Sequence, residues 1–145
     1  MMTAEQRAAV VAEAKTWLGT PYHHCADIKG AGVDCLMLLV RVYHAVGLMP
    51  ATDPRPYAPQ WHLHRNDELY LAGLEQHGRE LALEEEPQAG DIAVWRFGRT
   101  FSHAGIVLNE REVLHALKDA REVTISDRWS PPLAGRVVRY FTVGA

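Results

Sequence analysis

The stretch Gly32-Val33-Asp34-Cys35-Leu36-Met37-Leu38-Leu39-Val40 decides how this chain folds, because a polar, glycine-bearing approach turns there into an apolar helical run. Asp34 reads as the N-cap. Its carboxylate accepts from N–H groups two or three residues on, which fixes the first turn and the direction in which residue 35 points. Cys35 therefore sits where unpaired N–H groups and the helix dipole favour thiolate over thiol. A thiol so placed is a candidate nucleophile, expected to titrate below the roughly 8.5 of a free cysteine. The ordinary alternative is a small buried hydrophobe, and partners elsewhere in the chain decide between the two. Leu36, Leu39, Val40, Tyr43 and Val46 repeat at helical spacing and Gly47 ends the run, so the cysteine rides on a core-anchored helix.

Upstream, Thr3-Ala4-Glu5-Gln6 is a capping box opening a helix whose apolar face is Ala8, Val11, Ala14 and Leu18, with Val10 and Trp17. Gly19 stops that helix, Pro21 forbids its return, and Ala26 to Gly32 form an ordered connection to Cys35. Downstream, Met49 to Trp61 carries prolines at 50, 54, 56 and 59 and reads as an extended surface crossing. Asn66 to Gly78 follows as a third helix. Past Glu84-Glu85-Glu86-Pro87 the pattern becomes β-branched and aromatic, giving five short strands: 91–97, 103–108, 112–117, 122–125 and 136–143. No helix-length segment separates them, so they pair mainly antiparallel. The expected class is α+β, with the N-terminal helices packed on a mainly antiparallel five-stranded sheet.

The whole chain, residues 1–145, suits one domain, with 48% hydrophobic and 23% charged residues. A net charge of −3 with scattered Lys and Arg excludes a nucleic-acid partner, and no apolar run reaches membrane-spanning length. Met1 to Arg7 lacks the pattern of a signal peptide, so synthesis in the cytoplasm is expected. Two cysteines make no disulfide framework, and Cys25 and Cys35 are expected to be reduced.

Two histidines complete a chemical set. Ser102-His103-Ala104-Gly105-Ile106 places a histidine at the opening of a strand, and Leu114-His115-Ala116 places another in the next. A hairpin centred on Asn109-Glu110-Arg111 sets His103 directly opposite His115 on one sheet face. A nucleophilic thiol needs an imidazole to take its proton, and that imidazole needs a third group to fix its tautomer. Cys35, His103 and His115 fill these places, with a protonated His103 expected to favour the Cys35 anion. Eight histidines make a chance pairing on one face common. His44, His62, His64 and His77 are expected to be solvated.

Gly19-Thr20-Pro21-Tyr22, Val33-Asp34-Cys35, Pro87-Gln88-Ala89-Gly90-Asp91-Ile92, Ser102-His103-Ala104-Gly105-Ile106 and Leu114-His115-Ala116 together resemble the successive motifs of the NlpC-like cysteine peptidases. These are papain-like enzymes that cut bacterial cell-wall peptides. The loop Tyr22-His23-His24-Cys25-Ala26-Asp27-Ile28-Lys29-Gly30 and the proline-rich crossing resemble the branch associated with phage and prophage tails. The resemblance implies that Cys35 is the nucleophile, His103 the general base and acid, His115 the orienting residue and Tyr22 a hydroxyl near the sulfur. Asp34 and Ser102, beside these groups, are expected to contact substrate. The partners implied are peptidoglycan peptides and phage tail proteins, with the protein carried on the virion tail. The bond implied is a γ-D-glutamyl link to a diamino acid, cut without metal or cofactor. One departure stands out: Leu36-Met37 follows the cysteine where many members carry Ser-Gly.

Two other classes fit parts of the chain. His23, His24, Cys25 and Cys35 offer zinc-ligand types, but three adjacent ligands in one loop are not a structural zinc spacing. A tail component that keeps the peptidase fold for assembly, without turnover, is the second.

Overall fold

The computed structural model describes residues 1–55 and 69–144. Helix α1 (Ala4–Lys15) begins as expected: Thr3 accepts from the N–H of Gln6, and the Gln6 side chain accepts from the N–H of Thr3. A two-residue ladder, β1 (Asp27–Ile28) with β2 (Gly32–Val33), stiffens the connection before helix α2 (Cys35–Ala45). Then come α3 (Leu69–His77), β3 (Gly78–Glu80), β4 (Ile92–Phe97), β5 (Thr100–Val107), β6 (Glu112–Leu117), β7 (Glu122–Asp127) and β8 (Val138–Val143). Residues 51–55 of the proline-rich crossing carry no regular structure, whereas 56–61 and the expected start of the third helix at 66–68 lie outside the described residues.

The main sheet is antiparallel, in the order β3-β8-β4-β5-β6-β7. It has six strands where five are expected. The extra one, β3, is three residues without a β-branched side chain, so no local signal marks it. It exists through pairing with β8, and Gly78 permits that approach because any Cβ there would collide with the Thr142 carbonyl oxygen. Arg139 on β8 binds Glu80 on β3 at 2.7 Å across the pair.

One sheet face is covered by helices. Ile92, Val94, Ala104, Ile106, Leu114, Ala116 and Phe141 form a single core with Val10 and Ala14 of α1 and Met37, Leu38, Val42 and Tyr43 of α2. Burying each large α2 side chain contributes about 1.5–3 kcal/mol, which holds the helix against the sheet. Three polar joints set the positions of α1 and α2. The Tyr43 hydroxyl donates to the Gly90 carbonyl at 2.6 Å, and the Arg7 guanidinium meets both the Asp91 carboxylate at 2.8 Å and the Ala89 carbonyl at 3.0 Å. The Pro87 to Ile92 motif is thus a structural hinge between α1, α2 and β4. Gly90, at φ +90°, lies so close to Arg7 that a Cβ would stand 3.4 Å from the Arg7 Cα. No helix among the described residues is long and apolar enough to cross a membrane.

Candidate active site

Cys35 is the first residue of α2, as the capping pattern requires. Asp34 is buried, with 2% exposure, and one carboxylate oxygen accepts from the Met37 N–H at 2.8 Å. The other oxygen accepts from the Cys25 N–H, also at 2.8 Å. One side chain therefore caps the helix and ties the preceding loop to it. A cap of this kind contributes about 1 kcal/mol, and an orphaned buried N–H would cost about 1–3 kcal/mol more. Asp34, expected to contact substrate, also lies 3.9 Å from the His24 ring through the oxygen that holds Cys25.

The two histidines lie on the sheet face turned away from the helices, among Trp95, Phe97 and Val113. Their register differs from expectation by two residues. Asn109 accepts from the N–H groups of Arg111 and Glu112, which closes the loop between Leu108 and Glu112 and pairs Ile106 with Leu114. In that register His115 stands over Gly105 rather than opposite His103. A shift of two preserves the face, and the diagonal places the rings in contact: His103 Nε2 and His115 Nδ1 are 2.7 Å apart. Gly105 makes room for this, since a Cβ there would stand 3.0 Å from the His115 Cβ.

His103 opens no strand. Gly98 and Arg99 make a tight turn, with Gly98 at φ +69°, so β5 already begins at Thr100. Trp95 then pairs with His103 but Arg96 with Phe101, leaving Ser102 as an extra residue in a β-bulge. The bulge is where the thiol arrives. Among the described residues β5 and β6 pair only at Ile106–Leu114 and Val107–Val113, and toward Ser102 the ladder is open. There the Cys35 sulfur lies 3.9 Å from the Ser102 carbonyl oxygen, one residue from His103. The Ser102 hydroxyl turns back to the Phe97 carbonyl at 3.3 Å.

Sequence reasoning missed Ser126, whose Oγ lies 2.8 Å from His115 Nε2. Pairing of His115 with Thr124 and of Val113 with Ser126 sets the serine diagonally across from His115 on the same face. The chain of contacts fixes protons. For His103 to accept from Cys35 through Nδ1, its Nε2 must carry hydrogen and donate to His115 Nδ1, so His115 carries its own hydrogen on Nε2 and donates to Ser126. Burial pushes the proton affinity of His115 down, to a pKa of about 4. Burial, then the charges of His115 and Arg136, push His103 well below the ordinary imidazole range. The resting His103 is a neutral base, not the protonated partner expected from sequence.

Tyr22 enters by its main chain, bridging Val33 and donating its N–H to the Arg121 carbonyl at 2.8 Å. Burial first, then the charge of Cys35, Asp34 and Cys25, raises its hydroxyl pKa far above the ordinary phenol range. The hydroxyl therefore stays protonated at every working pH.

Neither cysteine is joined in a disulfide. The zinc-type set proposed from sequence is not the one brought together: His24, Cys25 and Asp34 cluster, with the Cys25 sulfur 3.2 Å from His24 Nε2. Of the histidines expected in solvent, His44 is exposed and His77 half-buried, while His62 and His64 lie outside the described residues.

Helices on one face of an antiparallel sheet, with a helix-start cysteine beside the strand bulge that precedes His103, define an α+β class. The sequence profile of the NlpC/P60 family matches residues 19–141, and the chain belongs to that family. The NlpC/p60 domain of the peptidoglycan hydrolase SagA aligns with a TM-score of 0.61 at 24% identity, over 92% of this chain and 96% of that one. The peptidoglycan hydrolase RipB from Mycobacterium tuberculosis aligns at 0.61 and 21%, over 95% and 64%. An NLP/P60-family protein of Staphylococcus aureus aligns at 0.70 and 21%, over 98% of this chain but 42% of its own length. At these identities the likeness is one of fold. No curated protein sequence matches the chain significantly.

Proposed function

We propose that this chain is a cysteine peptidase that hydrolyses an amide bond of bacterial cell-wall peptides, at γ-D-glutamyl links to a diamino acid, as part of a phage or prophage tail. The observation that carries the chemistry is the chain His103–His115–Ser126, with the sulfur of a helix-start cysteine 3.9 Å from the carbonyl oxygen of Ser102, the residue before His103. In this reading His103 Nδ1 takes the thiol proton as the Cys35 sulfur attacks the scissile carbonyl. The oxyanion is stabilised by the N–H groups at the start of α2 and by the Tyr22 hydroxyl. His103 then gives the proton to the leaving amine, a thioester remains on Cys35, and water activated by His103 releases the acid. Belonging to a family with peptidoglycan hydrolases among its solved structures supports the substrate class. The tail assignment rests on the resemblance of the Tyr22–Gly30 loop and the proline-rich crossing.

Incubating the purified protein with defined peptidoglycan fragments, followed by mass analysis, tests this. Expected products sum to the substrate plus one water, with the new termini at a γ-glutamyl bond. Intact fragments, under conditions where a related hydrolase cleaves them, would instead favour a fold kept for tail assembly.

Ser126 gives a finer check. Ser126→Ala removes the acceptor that locks His115, so kcat should fall about threefold to tenfold with KM little changed, and Ser126→Thr should restore most of it. An unchanged kcat in Ser126→Ala would mean that the His115 tautomer is set without it.

A further inference from the structure

Arg136 is one of five described arginines outside every ion pair, with Arg96, Arg99, Arg121 and Arg128, and of these it is the one held against the Phe97 ring beside His103. Arg7, Arg41, Arg55, Arg79, Arg111 and Arg139 each meet a carboxylate. Arg136, exposed in the segment between β7 and β8, forms no ion pair among the described residues. It is nevertheless held in place. Its Nε donates to the Pro132 carbonyl at 2.6 Å, its Nη1 to the Arg96 carbonyl at 3.3 Å, and its guanidinium carbon lies 3.7 Å from the centroid of the Phe97 ring. Phe97 in turn contacts the His103 ring, with centroids 5.1 Å apart. Main-chain carbonyls thus orient an uncompensated fork of donors one aromatic ring away from the proposed base.

We propose that Arg136 binds a free carboxylate on the substrate residue next to the scissile amide, and so selects acidic over amidated peptides. The inference rests on the peptidase reading and names what that site recognises. A glutamyl residue linked through its side chain keeps its α-carboxylate free, a few bonds from the carbonyl under attack. An oriented guanidinium matches that group, because planar donor pairs meet carboxylates in a two-point, charge-assisted fashion. The charge of Arg136 reaches His103, where it disfavours the imidazolium. A docked carboxylate screens that charge, so the proton transfer from Cys35 becomes easier once the correct substrate is seated.

The test uses two γ-D-glutamyl peptides that differ only at the α position, one a carboxylate and the other a carboxamide. Calorimetry with the Cys35→Ala protein should show the carboxylate peptide binding about tenfold more tightly. In Cys35→Ala/Arg136→Gln the carboxamide affinity should stay unchanged, which reports an intact site, while the carboxylate advantage disappears. With Cys35 restored, Arg136→Gln should lose about tenfold in kcat/KM on the carboxylate peptide, chiefly through KM. Equal binding of the two peptides, no binding of the carboxylate peptide, or discrimination that survives in Arg136→Gln would overturn the assignment. Discriminating binding without hydrolysis by the wild-type protein would sink the peptidase reading and leave Arg136 standing, whereas hydrolysis without discrimination would do the reverse.

Discussion

Replacing His103 with alanine is expected to lower kcat on a wall peptide by about a thousandfold or more, with substrate affinity in the Cys35→Ala background changed only a few-fold. The size follows from the neutral resting state. Burial, His115 and Arg136 all disfavour a charge on His103, which leaves it as the neutral base that the proposed proton transfer from Cys35 requires. The alanine also orphans His115 Nδ1, which His103 Nε2 contacts at 2.7 Å. His103→Gln, whose amide can still reach His115, separates these effects: it should recover fold stability but not turnover. Activity above one-hundredth of wild type in both variants would show that another base serves Cys35.

The second large effect is a loss of stability in mild acid. His115 has a pKa of about 4 in the folded chain, against roughly 6.5 when unfolded, so between these values the unfolded state binds more protons. Stability is full above pH 6.5, falls as the pH drops through the window and levels off near pH 4. For His115 alone the loss is on the order of 3 kcal/mol, and His103, displaced in the same direction, adds to it. Carboxylates act later. Glu85, paired with Arg79 and held down to about 2, loses its contribution only below its ordinary value of 4.5. Urea titrations at pH 7 and pH 5 should show the drop, and His115→Asn should flatten the pH dependence. A wild-type stability that is level from pH 7 to pH 5 would mean these imidazoles are not buried neutral.

Much of this was legible because its signals are local. Asp34 before an apolar run announced the helix start, and two-residue alternation kept His103 and His115 on one face because the register moved by an even step. The register itself depended on how Asn109 folds its loop, which shifted the partner of His115 from His103 to Gly105. Strand β3 carries no propensity of its own and is created by the edge of β8. The expected strand 122–125 stopped one residue short of Ser126, whose importance appears only once β6 and β7 are paired. Arg136 was invisible for a similar reason, since its neighbours Phe97, Arg96 and Pro132 come together only through folding.

The bulge at Ser102 bears on how this strand can change. Side chains on a strand alternate, so residues count in twos, and Ser102 makes the count between the Gly98 turn and His103 odd. Phe101 can then face the helices while His103 faces Trp95. Delete Ser102, and Phe101 and His103 become neighbours in an unbroken ladder, still on opposite faces, while the opening beside the Cys35 sulfur is lost. Sequence drift could therefore close the site by dropping a single residue and leave the rest of the sheet as it is.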